Sequence, residues 1–194
     1  MNFFIGDSNE DRPWQHRRHF DVRRGGDLLP QVRDIISSSR EPRELFYEFT
    51  RALESRFPIR RGILALREQN QTRFLAAASW KSGEVRRNLS LRMPNSASLF
   101  DKVAEDGRTY RENYAAFFDG NPIERRLLMD EDTLSFVLKP IKYEGRVVAL
   151  LGYSSENADA FAAMEESVLD PVMASFGEKI GQCLEQQGPT SPAR

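Results

Sequence analysis

The residues of this chain best suited to chemistry are a scattered set of rings with a few polar groups: Trp80, Phe100, Tyr110, Arg111, Tyr114, Phe117, Phe118, Arg125 and Ser135. Small-molecule pockets are mostly apolar, with a few placed polar groups. Tyrosine brings an apolar ring with a hydroxyl. Arg111 and Arg125 offer planar forks that match a carboxylate or phosphate, and Ser135 offers a hydroxyl. The chemistry is binding, since none of these groups is a nucleophile with a base beside it. The same aromatics would equally fill a core between a sheet and its covering loops. Both readings stand at the level of sequence.

Other reactive types are sparse. His16 and His19 are spaced to share one side of a helix, as metal ligands do, but only Glu10 and Asp11 lie near and no cysteine completes a set. A solvated pair and no metal are expected. Asp130, Glu131 and Asp132 are adjacent, so their carboxylates diverge on any regular element and belong on a solvated loop. Cys183 is the only cysteine, which excludes an intrachain disulfide and a cysteine zinc site. With no histidine near it in sequence, it reads as a small core or interface residue, not a nucleophile. No cofactor is implied, and no enzyme's reactive constellation can be assembled.

Charge narrows the partners. Lys and Arg total 28 against 29 for Asp and Glu, a net charge of -1. The run from Arg12 to Arg24 is basic, with Trp14 and Phe20 interleaved, a composition able to grip a phosphate backbone or an anionic lipid surface. No basic face continues it, so neither nucleic acid nor membrane is expected as a partner. The N-terminus turns polar too soon for a signal peptide, and no apolar run approaches the roughly 20 residues of a membrane helix. The lone thiol fits a reducing compartment, and a cytoplasmic location is expected.

The elements that must position these residues follow from periodicity. Residues 1–26 are polar and read as a leader, 27–187 as one domain, and 188–194 as a frayed tail. Asp27 caps a first helix with Leu28, Leu29, Val32, Ile35 and Ile36 on one face. Pro42 opens a second, with Leu45, Phe46, Phe49, Ala52, Leu53 and Phe57 inward. Strands are expected at Ile63–Leu66, Arg73–Trp80 and Leu89–Met93, separated by turns at Gln69-Asn70-Gln71 and Gly83. Ser96 or Ser98 caps a third helix that Gly107 stops, and Thr109–Arg111 is a brief strand. Residues 112–132 read as a long loop holding a short helix over Glu124–Met129. Phe136–Tyr143 and Arg146–Tyr153 form a hairpin turning at Glu144-Gly145. The unbroken apolar run Val147–Leu151 makes the second strand central. Phe161, Val168, Val172, Phe176, Ile180 and Leu184 line a final helix, in which Asp170-Pro171 marks either a kink or a fresh start. The class is α+β, with an antiparallel sheet of about six strands.

Five segments in this order resemble a GAF domain over roughly residues 28–187. They are S-S-S-R-E-P-R-E-L-F, S-L-F-D-K-V-A-E-D-G-R-T-Y, S-F-V-L-K-P, Y-E-G-R-V-V-A-L-L and F-A-A-M-E-E-S-V-L. Ala149 stands where the family often has glycine. The resemblance implies N- and C-terminal helices on one face of the sheet, and short helices and loops enclosing a small-molecule pocket on the other. It also implies dimerisation through terminal helices, here Leu28–Ile36 and Val172–Leu184, and regulation of a neighbouring signalling protein, whether the chain stands alone or is cut from a larger sensor.

What is missing restricts the ligand. The family's cyclic-nucleotide members carry an Asn-Lys pair absent here, and Asp119 lacks a following acid. Its bilin binders use a pocket cysteine, whereas Cys183 lies on the last helix. Its free-methionine-sulfoxide reductases exchange thiols between cysteines, which one cysteine cannot do within a chain. Haem needs an axial ligand, and both histidines lie in the leader. The expected function is a non-catalytic sensor that binds a small molecule between the sheet and residues 96–132 and relays it through the terminal helices. The alternative is a ligand-free GAF-fold module for dimerisation or protein interaction, its pocket filled by its own aromatics.

Overall fold

The computed structural model describes residues 27–68, 73–82, 87–94, 98–114 and 118–186. The leader with His16 and His19, the turns at Gln69-Asn70-Gln71 and Gly83, Ser96, Phe117 and the tail lie outside the described residues. Helix α1 (Leu28–Ser38) begins where Asp27 Oδ1 accepts a bond from the Leu29 amide at 3.1 Å. Pro42 sits at the first position of α2 (Pro42–Glu54), where its missing N–H costs nothing.

Six strands follow: β1 (Arg61–Arg67), β2 (Phe74–Lys81), β3 (Arg87–Arg92), β4 (Tyr110–Glu112), β5 (Ser135–Tyr143) and β6 (Arg146–Ser155). Their spatial order is β3-β2-β1-β6-β5-β4, and every pairing is antiparallel. The long apolar segments sit side by side, with Pro140 opposite Leu150. Glu144 and Gly145 both have positive φ (49° and 77°), as a two-residue hairpin turn twisted like its strands requires. Between β3 and β4 lies α3 (Leu99–Asp106), and between β4 and β5 lies α4 (Pro122–Leu128).

The sheet separates two cores. One lies beneath α1, α2 and the C-terminal helices and includes Phe46, Phe49, Leu64, Val137, Leu151, Tyr153, Phe176 and Ile180. The other lies beneath α3 and α4 and includes Phe74, Phe100, Leu128, Phe136, Leu138 and Leu150. Strand alternation explains the division, since Phe136 and Leu138 face one side and Val137 the other. The terminal helices therefore share a face, as expected.

The last helix is irregular at Asp170-Pro171, as expected, but it continues without a gap, and Asp170 is itself helical, so no fresh N-cap forms there. A turn at Ala162–Met164 (α5) runs through a π-helical stretch, Glu165–Leu169, directly into α6 (Asp170–Gln186). The Asp170 amide bonds the Glu165 carbonyl, five residues back. An α-helix would drive the Pro171 ring into the carbonyl four residues earlier, and the wider turn relieves that clash without a break.

Candidate functional site

The candidate site is the sheet face beneath α3 and α4. Phe100 is fully buried there. Tyr110 stacks on Phe136 with ring centroids 5.7 Å apart, and Phe118 tilts against the same ring at 5.5 Å. These three members of the expected set converge. Leu99, Leu128 and Met129 belong to the same core.

The other members disperse, and strand alternation is the main reason. Trp80 lies on the opposite face, packed against the terminal-helix core, with Nε1 donating to Glu54 Oε1 at 3.4 Å. Arg111 follows Tyr110 in β4 and so faces the other way, where its Nη1 donates to Glu165 Oε2 at 2.7 Å. Ser135 Oγ donates to the Asn157 carbonyl at 2.6 Å and thus secures the loop after β6. Tyr114 is exposed, as is Arg125 on the outer side of α4. Neither arginine enters the aromatic cluster.

Instead, the polar group that enters this side is Glu124, which is wholly buried. Its Oε2 accepts from the amides of Leu99 (2.9 Å) and Asn121 (3.2 Å). Its Oε1 accepts from the Phe100 amide (3.2 Å) and Ser98 Oγ (2.5 Å). One carboxylate thus closes the N-terminus of α3 while completing the capping box of α4, in which Asn121 Oδ1 accepts from the Ile123 and Glu124 amides. Burial pushes the Glu124 carboxyl above its ordinary pKa, and the bonds from Ser98, Leu99, Phe100 and Asn121 partly offset this. Gly120 makes the approach possible: a Cβ there would lie 2.6 Å from Glu124 Oε2 and 2.5 Å from Phe118 Cε1.

Asn121-Pro122-Ile123-Glu124 carries the capping-box spacing, so the role of Glu124 in α4 was legible in sequence. Its bonds to α3, 24 to 26 residues away, were not. Among the described residues, a cleft of about 260 Å³ opens on this side, lined by Ser98, Lys102, Phe118, Asp119 and Gly120, with Lys102 and Asp119 paired at 3.2 Å.

Cys183 lies on α6, on the other face of the sheet. Its Sγ contacts the Arg40 carbonyl at 3.3 Å, and burial pushes its thiol pKa up, away from the reactive thiolate. Among the described residues no cluster of His, Cys, Asp and Glu is placed to hold a metal, and no helix is long and apolar enough to cross a membrane.

Two cores on a six-stranded antiparallel sheet, with the first and last described helices on one side, give the fold of a GAF domain. The GAF domain of an Acinetobacter phosphoenolpyruvate-protein phosphotransferase is similar at TM-score 0.66 and 16% identity, covering 83% of this chain and 95% of that one. A free methionine-R-sulfoxide reductase from Neisseria meningitidis is similar at TM-score 0.63 and 14% identity, covering 82% and 89%. The GAF domain of a Bacillus halodurans two-component sensor histidine kinase gives 0.59 at 14%, covering 84% and 99%. No family model and no curated protein matches the sequence. The fold is thus shared with domains of signalling proteins and with an enzyme.

Proposed function

We propose that this chain is a non-catalytic regulatory module of the GAF fold that acts by contact with other proteins, its ligand side closed by its own side chains. The observation that supports this reading is the packing of the described residues between the sheet and α3–α4. Phe100, Phe118, Tyr110 and Phe136 pack there, and the Glu124 carboxylate takes the amides that would otherwise hold an anion. The arginines expected to recognise a ligand are directed elsewhere.

Native mass spectrometry of freshly purified protein tests this reading. The bare chain mass is expected, and a retained small molecule in stoichiometric amount refutes the closed pocket. The reductase among the similar structures sets a second test. Incubation with free methionine sulfoxide and a dithiol reductant is expected to yield no methionine, because the one thiol is buried on α6, across the sheet from the aromatic cluster.

The cleft at Ser98, Lys102, Phe118, Asp119 and Gly120 favours a second reading, a sensor of a small polar ligand held at the rim. Its volume of about 260 Å³ falls below the usual range for drug-sized pockets, so a ligand there would be small or partly exposed.

Self-association through α1 and α6 is also proposed. Most of both stripes is buried within the protomer, so a dimer would rest on the partly exposed Leu29, Met173 and Leu184 with their polar neighbours.

A further inference from the structure

Strand β4 is three residues long, lies at the edge of the sheet and is paired only with β5. It nevertheless touches both cores. Tyr110 belongs to the aromatic group with Phe136 and Phe118 on one face. The next residue, Arg111, reaches the C-terminal helix on the other, at Glu165, the first residue of the π-helical stretch.

Glu165 is a junction. One carboxylate oxygen accepts from Arg111 at 2.7 Å and the other from Lys139 Nζ at 3.3 Å. Lys139 also donates to Asp170 Oδ1 at 2.6 Å and to Thr109 Oγ1 at 3.1 Å. Lys139 and Glu165 are only 8% and 7% exposed, so each charge depends on its partners. Two cations from β4 and β5 thus hold both ends of the irregular turn. A π-turn differs from an α-turn by one residue of register, and one residue of register is about 100° of helix rotation. The buried pair at the centre of this cluster, Lys139 and Glu165, cannot exchange its partners for water, whereas Arg111 and Asp170 reach it from the surface, an arrangement that favours discrete states over graded ones.

We propose that β4 is a coupling element: the packing of the aromatic group beneath α3–α4 sets the position of Arg111, and the Arg111–Glu165–Lys139–Asp170 cluster converts that position into the register of the C-terminal helix at its π-turn. The inference does not depend on whether a protein or a small molecule engages the α3–α4 side, so an empty mass spectrum leaves it intact.

Hydrogen exchange resolved along 165–176 tests it in four proteins: wild type, Phe118→Ala, Arg111→Met and the double variant. Phe118→Ala is expected to speed exchange in 165–176, across the sheet from the substitution, and to do so much less when Arg111 is already methionine. A coupling ratio of about threefold or more between the two substitutions supports the proposal. A smaller ratio overturns it, as does a Phe118→Ala effect confined to α3 and α4. Tyr110→Leu trims the neighbouring ring and is held to the same criterion, so loss of folding in one variant leaves the other decisive.

Discussion

Glu124 and Asp130 show how single carboxylates can be read in opposite directions. Glu124 accepts four bonds and donates none, so an amide in its place sets an NH₂ group against backbone or hydroxyl donors. Glu124→Gln is expected to lower stability by about 2 kcal/mol, seen as a lower urea midpoint at unchanged slope. Asp130 is pushed up by burial, but bonds from Arg61 (3.0 Å) and Thr133 (3.0 Å) and the charges of Arg61 and Arg60 outweigh this and hold its carboxyl below the ordinary value. The native state therefore binds fewer protons here than the unfolded chain as the pH falls. Asp130 contributes stability that is fully present above the unfolded-state pKa and is lost as pH drops through the lowered folded value. Unfolding curves recorded from neutral pH down to about pH 3 are expected to fall less steeply for Asp130→Asn than for wild type. Sequence placed Asp130 with its neighbours in a solvated loop. That holds for the exposed Glu131 and Asp132, whereas Asp130 turns inward to two arginines from the start of β1.

Among the elements, the contact between the β5–β6 hairpin and α6 depends on two glycines one helical turn apart. A Cβ on Gly177 would lie 2.0 Å from the Lys142 carbonyl oxygen, and one on Gly181 would lie 2.2 Å from the Tyr143 ring. The Lys142 obstacle is backbone and cannot swing aside, whereas the Tyr143 ring is a side chain. Gly177→Ala is expected to cost about 2–3 kcal/mol despite the better helix propensity of alanine, measured as a fall in Tm. A neutral result would mean that α6 can lift from the hairpin. Helical periodicity located α6, but its glycines carried no sign of their partners. Lys139 is similar: a lone cation in an apolar strand signals a buried acid, and only folding brought Glu165 and Asp170 to it.

For the molecule as a whole, the open question is what the terminal helices do with their remaining surface. Val32, Ile35, Val172, Phe176 and Ile180 are buried within one protomer. The large hydrophobics exposed among the described residues are Leu91, Tyr114, Ile123 and Leu134, none of them on α1 or α6. If the proposed dimer forms, Leu29→Glu with Met173→Glu is expected to convert it to monomer in sedimentation equilibrium while leaving Tm within a few degrees, because both side chains are only partly covered. A wild-type protein that sediments as a monomer at high concentration removes the dimer from the reading.

The shared face of the terminal helices was implied by the GAF resemblance, whereas the amino-acid sequence itself determined the order of the elements and the antiparallel class. That order and class follow from local periodicity, caps and turn residues acting over a few positions. Tertiary structure decided the site. Which aromatics meet depends on strand parity and register, and a shift of one position sends Arg111 to the opposite core from Tyr110. The tie between α3 and α4 depended on one carboxylate crossing from one helix to the other. Contacts between residues so far apart in the chain leave no periodic trace within it.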